Sequence, residues 1–189
     1  MCASRSPSAR RGWMKPCSAC AIISPRWNSR RRIEGGKRTM SVFGFDIDPA
    51  LVTIVKGGTS KHDALEQLIG VMAKHPAITD AGAFERAVFE RESVMSTGIG
   101  GGVAIPHVRL KAVASLIVGV GIAPKGIDYG TLDNEPVHVM VLFATPDGAD
   151  KEYLRTLAQV MGALRKGDGL YEKLMDTRSP KAVADLLNA

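Results

Sequence analysis

From position 137 the sequence reads Val-His-Val-Met-Val-Leu-Phe-Ala, a nearly continuous apolar run that ends at Ala144. Side chains alternate between the two faces of a strand, so a run of this kind is apolar on both faces. Such a strand is typical of the centre of a sheet that is covered on each side by helices. Residues 116–122, Leu-Ile-Val-Gly-Val-Gly-Ile, form a second β-rich run. The two runs indicate an α/β fold built on a buried sheet.

Helical patterns precede and follow these strands. Ser60 is a good N-cap for a helix with apolar residues at helical spacing, namely Leu65, Leu68, Ile69 and Met72. A second helix is predicted from Thr79 or Asp80 to about Glu92. After the strands, Asp150 is predicted to cap a long helix with an apolar face made of Leu154, Leu157, Ala158, Met161 and Leu164.

A short helix near Leu170 to Met175 and a last helix with Ser179 as N-cap and Pro180 in its first turn complete the pattern. Helices on both sides of the strands in sequence predict an α/β fold with a mixed β-sheet flanked by helices on both faces. We expect a single domain in residues 40–189, preceded by a disordered leader in residues 1–39.

The positive charge of the chain lies almost entirely in that leader. Residues 1–39 contain ten Lys and Arg against one acid, a net charge of +9, whereas residues 40–189 contain 15 basic and 18 acidic residues and carry −3. The leader also lacks hydrophobic periodicity, which favours disorder, and translation is expected to begin at or near Met40. An acidic domain gives no charge argument for nucleic-acid binding, and we expect no such partner.

The leader also holds all three cysteines of the chain. Cys17 and Cys20 have the spacing of a zinc-binding pair, but no second pair completes a four-ligand site, so no metal is predicted. A domain without cysteine agrees with a reducing cytoplasm. No apolar run approaches the length of about 20 residues that a membrane-spanning helix needs, so we expect no direct membrane insertion. No cofactor is predicted.

The residues most informative about function lie between Arg91 and His107. Four glycines in five positions, Gly98, Gly100, Gly101 and Gly102, allow a close approach of backbone to ligand, and their N–H groups could bind an anion such as phosphate. The segment lacks the lysine of a Walker A loop and leads into a strand, which disfavours nucleotide binding. From the spacing alone, a tight hairpin followed by a strand-end histidine explains the same residues.

The chemistry of His107 suits phosphoryl transfer. A neutral imidazole is a competent nucleophile near pH 7, and a phosphoryl group on its ring needs donors and positive charge. Arg91, the glycine amides and the hydroxyls of Ser96 and Thr97 are the candidate donors.

The motif Ser-Thr-Gly-Ile-Gly-Gly-Gly-Val-Ala-Ile-Pro-His, residues 96–107, resembles the phosphohistidine motif of the enzyme IIA domains of the bacterial phosphotransferase system. The resemblance is to the fructose and mannitol class, which includes the nitrogen-regulatory protein, and it covers roughly residues 46–189. It implies a transferase component in which His107 accepts phosphate from the phosphocarrier HPr and passes it to a IIB domain of a sugar permease. The arginine at the place of Arg91 is implied to lie beside the phosphate.

One residue departs from the pattern of that family. Tyr153 stands where a second active-site histidine is expected, and a phenol does not become cationic near neutral pH. The departure favours an alternative in which the phosphorylation state of His107 controls binding to a regulatory target protein. On either interpretation, part of the surface near His107 is expected to be apolar, because partners must dock there.

Overall fold

A computed structural model describes residues 41–165 and 169–189. After a 3-10 turn at Pro49–Leu51, the described elements follow in chain order: β1 (Val52–Ile54), α1 (Lys61–Met72), α2 (Ala81–Val94), β2 (Gly98–Gly100), β3 (Val103–Ala104), β4 (His107–Arg109), β5 (Ile117–Ile127), β6 (Val137–Thr145), α3 (Asp150–Arg165), α4 (Leu170–Asp176) and α5 (Pro180–Leu187).

The apolar run at residues 137–145 forms β6, which pairs with three other strands. The sheet order is β1-β5-β6-β3-β2, and β4 also pairs with β6. The β5–β6 and β2–β3 pairs are antiparallel, whereas β1–β5, β3–β6 and β4–β6 are parallel. The prediction of a mixed sheet is therefore confirmed.

The two faces of β6 pack against different helices. Met140, Leu142 and Ala144 belong to the core cluster that includes α1 and α2. Val139, Val141 and Phe143 belong to the cluster that includes α3, α4 and α5. This alternation buries both faces of the sheet and confirms helices on both sides.

The predicted N-caps Ser60 and Ser179 form, whereas Asp150, the predicted cap of α3, is the first residue of that helix. Asp80, one of the two predicted starts of α2, caps its helix. The Ser60 hydroxyl accepts a hydrogen bond from the Asp63 amide, Asp80 accepts from Ala83, and Ser179 accepts from Ala182. The predicted end of β5 at Ile122 is wrong, because the strand continues to Ile127 through a register shift. Pro124 and Gly126 indicate a turn in the sequence, but they lie within this irregular part of the strand.

The predicted apolar face of α3 is rotated from the observed one. Tyr153, Thr156, Val160 and Ala163 are buried, whereas Leu154 is 57% exposed and Ala158 is also exposed. The observed face includes two polar-tipped residues, Tyr153 and Thr156, that a pattern of purely apolar residues leaves out. The rotation matters for function because it turns Tyr153 toward the sheet.

The predictions for the leader, including the cysteine pair at Cys17 and Cys20 and the start at Met40, lie outside the described residues. Among residues 41–165 and 169–189, none of the helices has the length and apolar character required to cross a membrane.

Candidate functional site

His107 is the first residue of β4 and follows Pro106. Its backbone pairs in register with Phe143 of β6, so its ring is held at a fixed point on the sheet. The ring Nδ1 lies 3.2 Å from the carbonyl oxygen of Ile105. A carbonyl can only accept, so in the neutral ring Nδ1 carries the proton and donates it to Ile105. Nε2 then holds the lone pair, which makes it the nucleophilic nitrogen.

The surroundings of His107 favour this neutral form. Partial burial lowers the pKa of the imidazole below its usual 6.5, and the positive charges of Arg91 and Arg109 lower it further. The bond to Ile105 and the negative charge of Glu92 act in the opposite direction, but the net shift is downward. The ring is therefore uncharged at neutral pH.

A small open pocket of about 330 Å³ lies beside the ring and is lined by Ala87, Arg91, His107, Val108 and Arg109. Arg91 reaches it from the last turn of α2, where its Nη1 donates to the carbonyl oxygen of Met95 at 3.1 Å. The structure thus brings together His107 and Arg91, the two residues to which the sequence analysis assigned catalytic roles. Arg91 and Arg109 both line this pocket, and the positive charges of both act on the ring, which suits an anionic group on His107.

Tyr153 also lies beside His107. The two ring centroids are 5.7 Å apart, and the other side of the phenol packs edge-on against Phe143 at 5.8 Å. Burial raises the pKa of Tyr153 above its usual 10, although the nearby charges of Arg109 and Arg91 oppose the shift. The phenol is therefore neutral across the physiological range and supplies no positive charge to the pocket.

Arg109 is a residue of the site that the sequence analysis missed. Its Nη1 lies 2.6 Å from Oδ1 of Asp150 at the start of α3, and its guanidinium carbon lies 5.4 Å from the centre of the Tyr153 ring. The signal was present in the sequence, because residues i and i+2 of a strand share a face. Asp150 carried no such signal, since it lies 41 positions away.

Ser96 and Thr97 point into a buried polar cluster, which we call the Glu92 cluster and which consists of Lys61, Glu92, Ser96, Thr97 and Tyr129. Glu92 accepts from the Thr97 hydroxyl at 2.5 Å and from the Thr97 amide at 3.0 Å, and it pairs with the Lys61 ammonium at 2.7 Å. The Ser96 hydroxyl lies 3.2 Å from the Tyr129 carbonyl. Both predicted phosphate donors are thus hydrogen-bonded inside the protein.

The Glu92 cluster fixes backbone that lies close to His107. The Ile105 amide donates to the Thr97 carbonyl at 3.0 Å, and the carbonyl of the same Ile105 accepts from the His107 ring. Ser96 and Thr97 therefore hold the backbone next to β4, the strand that carries His107. Lys61, Glu92 and Tyr129 were missed because their sequence separations, 31 to 68 positions, give no local pattern.

The tip of the glycine segment is not brought to His107. Gly100, Gly101 and Gly102 have positive φ and turn the chain between β2 and β3, which is the tight-hairpin interpretation. Gly102 bonds to β6 at His138, five residues from Phe143, the partner of His107. At about 3.3 Å per residue, these five positions along β6 separate the glycine tip from His107 by roughly 16 Å.

The prediction that this tip binds phosphate at His107 is corrected for a second reason. The Gly101 amide already donates to the carboxylate of Asp133 at 2.8 Å, so the anion at the tip belongs to the protein itself. Gly98 lies nearer, opposite Ala104, but a Cβ there would meet Thr131 and Tyr129, which shows that it packs under the neighbouring loop.

The chain is similar to known proteins. The fructose-specific EIIABC component of the phosphotransferase system of Bacillus subtilis is 30% identical over 128 residues, which are 68% of this chain and 20% of that protein. The chain therefore spans about a fifth of the length of this relative.

Solved structures show the same fold. The nitrogen regulatory protein IIA-Ntr of Neisseria meningitidis is 25% identical, with a TM-score of 0.66 over 75% of this chain and 95% of that chain. In the complex of enzyme IIA mannitol with phosphorylated enzyme IIB mannitol of Escherichia coli, the matching chain is 17% identical, with a TM-score of 0.61 over 75% of this chain and 96% of that chain.

The family model for the phosphoenolpyruvate-dependent sugar phosphotransferase system, EIIA 2, matches residues 47–189. This range agrees with the resemblance noted from the motif, which begins near residue 46. Because the match covers most of the sequence, the chain belongs to the EIIA 2 family of the phosphoenolpyruvate-dependent sugar phosphotransferase system.

Proposed function

We propose that the chain is a phosphohistidine phosphocarrier that accepts a phosphoryl group from an HPr-like protein on His107 and passes it to a IIB domain. One observation carries the proposal: the neutral His107 ring, held through Nδ1 by Ile105, shares a pocket with Arg91 and Arg109, whose positive charges act on the ring. Domains of this family transfer phosphoryl groups between phosphocarriers. The role assigns the chain to the cytoplasm.

The transfer step needs a nucleophile, an arriving phosphoryl group and positive charge. The lone pair of Nε2 attacks the phosphorus of a phosphohistidine on the donor protein. The P–N bond of the donor breaks, its electron pair returns to the donor imidazole, and a new P–N bond forms at His107. The Nδ1 proton stays bonded to Ile105 throughout and helps to keep the ring in place. Arg91 offsets the negative charge that the group brings.

The surface around His107 supports docking of a partner protein. Val94, the last residue of α2, and Met95, which follows it, are 82% and 64% exposed, and Leu154 is exposed next to Tyr153 on α3. Exposed apolar side chains bordering a charged centre are typical of protein-binding surfaces. This arrangement agrees with the apolar docking surface expected from the sequence.

A second candidate function is regulatory, with the phosphorylation state of His107 controlling affinity for a target protein. The neutral Tyr153 phenol beside His107 favours it, because a phenol offers a phosphoryl dianion one hydrogen bond and no charge. The likeness to the Neisseria nitrogen regulatory protein favours it as well.

The pH dependence of phosphoryl uptake follows from the lowered pKa of His107. Protonation removes the Nε2 lone pair, so the uptake rate should fall as the pH is lowered through the depressed pKa, with a midpoint below pH 6.5. The measurement is the ring titration of His107 by NMR, together with uptake rates between pH 5 and 8. A titration midpoint above 6.5 would contradict the assigned electrostatics.

Onward transfer from the charged protein to a IIB domain tests the proposed function. The parent and the Tyr153→His variant are first phosphorylated by phosphorylated HPr. They are then separated from HPr and mixed with a fructose-type IIB domain. We expect both to donate, and Tyr153→His to hold the phosphoryl group longer or to donate it faster, because an imidazolium adds charge beside the phosphate. A phosphorylated parent that transfers no phosphoryl group to any IIB domain supports the regulatory function. Identical kinetics for the two proteins would exclude position 153 from the site.

A further inference from the structure

We propose that Arg109 is the second cationic ligand of the phosphoryl group on His107, and that it exchanges Asp150 for that group when His107 is phosphorylated. The inference deepens the proposed function and rests on it. It assigns to the ion pair between β4 and α3 the role of a switch that reports phosphorylation.

The position of Arg109 makes the exchange geometrically simple. His107 and Arg109 are alternate residues of β4, so their side chains leave the same face of the strand with Cα atoms about 7 Å apart. Both line the 330 Å³ pocket, and the charge of Arg109 is close enough to His107 to influence its protonation. A change of side-chain rotamer, without backbone movement, suffices to carry the guanidinium from Asp150 to the pocket.

Arg91 and Arg109 are the two cationic residues that line the pocket, and the Arg109 guanidinium is paired with Asp150. The Arg91 guanidinium reaches into it from α2, while the neighbouring Tyr153 ring is neutral. The Arg109 guanidinium lies over that same ring, 5.4 Å from its centre, and therefore next to the place where a second charge is missing. A phosphoryl group carries close to two negative charges and three acceptor oxygens, more than one guanidinium satisfies.

The present partner of Arg109 holds it weakly. The Arg109 and Asp150 side chains are 48% and 57% exposed, and exposed ion pairs contribute little to stability. A phosphoryl dianion offers Arg109 twice the charge of a carboxylate and allows two parallel hydrogen bonds. The exchange is therefore favourable on phosphorylation and reverses when the group leaves.

The exchange alters the surface that a partner contacts. Asp150 lies in the first turn of α3, where a free carboxylate is stabilised by the helix dipole, so the unpaired acid stays charged and exposed. Leu154 lies one turn further along the same helix. A partner that docks over α3 would thus meet an Arg109–Asp150 pair before phosphorylation and a lone carboxylate afterwards.

The test measures the equilibrium of phosphoryl exchange with phosphorylated HPr in parent, Arg109→Gln, Asp150→Asn and the double variant. Arg109→Gln should lower the equilibrium constant for phosphorylation of this chain by about tenfold, because a charged ligand of the phosphate is lost. Arg109→Lys, which keeps the charge but loses the paired hydrogen bonds, should fall in between. Asp150→Asn should shift the equilibrium toward this chain, since it releases Arg109 beforehand.

The double variant separates the exchange from a general effect of charge. If Arg109 mediates the effect of Asp150, then Asp150→Asn changes nothing once Arg109→Gln is present. If the two effects simply add, Asp150 acts only through its charge and the switch is overturned. An exchange equilibrium unaltered in both single variants would overturn it as well.

A matched control comes from α5, which packs against β1 at the far side of the sheet. Lys181 and Asp185 form an exposed pair of the same 2.6 Å separation. Lys181→Gln and Asp185→Asn should leave the exchange equilibrium unchanged. If the parent itself takes up no phosphoryl group, the proposed function fails and this inference fails with it. If the parent is phosphorylated but the Arg109 and Asp150 variants have its exchange equilibrium, only the inference is overturned.

Discussion

Replacing His107 by alanine is expected to abolish phosphorylation by HPr and to leave the fold intact. Nε2 is the atom that forms the P–N bond, and no other group in the pocket is a nucleophile at neutral pH, so uptake should fall by at least about a thousandfold. The ring is half-buried at the start of β4 and bonds to one carbonyl, so its loss should cost only about 1 kcal/mol of stability. Intact-protein mass and circular dichroism measure the two effects.

His138 provides a matched control for this variant. It is also a half-buried strand histidine whose Nδ1 lies near a backbone carbonyl, that of Ala123 at 3.0 Å, but it sits at the Gly102 end of β6. His138→Ala should therefore be phosphorylated like the parent. Uptake that persists in His107→Ala, or that disappears in His138→Ala, would contradict the assignment of the nucleophile, and a loss of circular dichroism in His107→Ala would contradict its structural account.

Removal of the Glu92 carboxylate is expected to give a large loss of stability. Glu92 is 8% exposed and accepts from the Thr97 amide and hydroxyl while pairing with Lys61. Glu92→Ala removes the acceptor of the buried Thr97 amide and leaves the Thr97 hydroxyl with only the Tyr129 hydroxyl at 3.3 Å. It also leaves the Lys61 charge above the Tyr129 ring without its carboxylate. We expect the free energy of unfolding to fall by about 3 kcal/mol, with partial relief because Lys61 still reaches water.

Urea unfolding of Glu92→Ala, Glu92→Gln and Glu85→Ala measures this effect. Glu92→Gln keeps an acceptor for Thr97 but removes the charge, so it should lose about half as much as the alanine variant. Glu85 is exposed on the same helix, and its replacement should change stability by less than about 0.5 kcal/mol. An unfolding midpoint of Glu92→Ala equal to that of the parent would show that the Glu92 cluster does not support the site.

The sequence was sufficient for the features that depend on neighbouring residues. The N-caps at Ser60 and Ser179 are local hydrogen bonds between a side chain and an amide three positions later, and they form as predicted. The apolar run at residues 137–144 likewise becomes a strand buried on both faces. Each of these predictions needs only the periodicity or chemistry of one segment.

Predictions that depend on packing between distant segments were less accurate. The face of α3 was displaced because Tyr153 and Thr156 are buried against the sheet, which a purely apolar pattern does not anticipate. The glycine tip was expected to bind phosphate, but the antiparallel β2–β3 hairpin carries it away from His107, and Asp133, 32 positions from Gly101, binds its amide. Long-range pairings of this kind leave no trace in local sequence.

The site itself was predictable in part. His107 and Arg91 were named from the motif, and the structure brings both to one pocket. Ser96 and Thr97 were named as phosphate donors, but their partners in the Glu92 cluster, Lys61, Glu92 and Tyr129, were not assigned to the site. Nor was the Arg109–Asp150 pair, because these groups join segments that are separated by tens of residues and meet only when α1, α2 and α3 pack on the sheet. These unnamed residues hold the backbone and the charge around His107.

The most direct test of the phosphocarrier function is the intact mass of the chain after incubation with phosphoenolpyruvate, enzyme I and HPr. The account predicts a gain of one acid-labile phosphoryl group in the parent and none in His107→Ala. If HPr is shown to be phosphorylated in the same mixture and the parent mass does not change, His107 is not a phosphoryl acceptor and the proposed function is wrong.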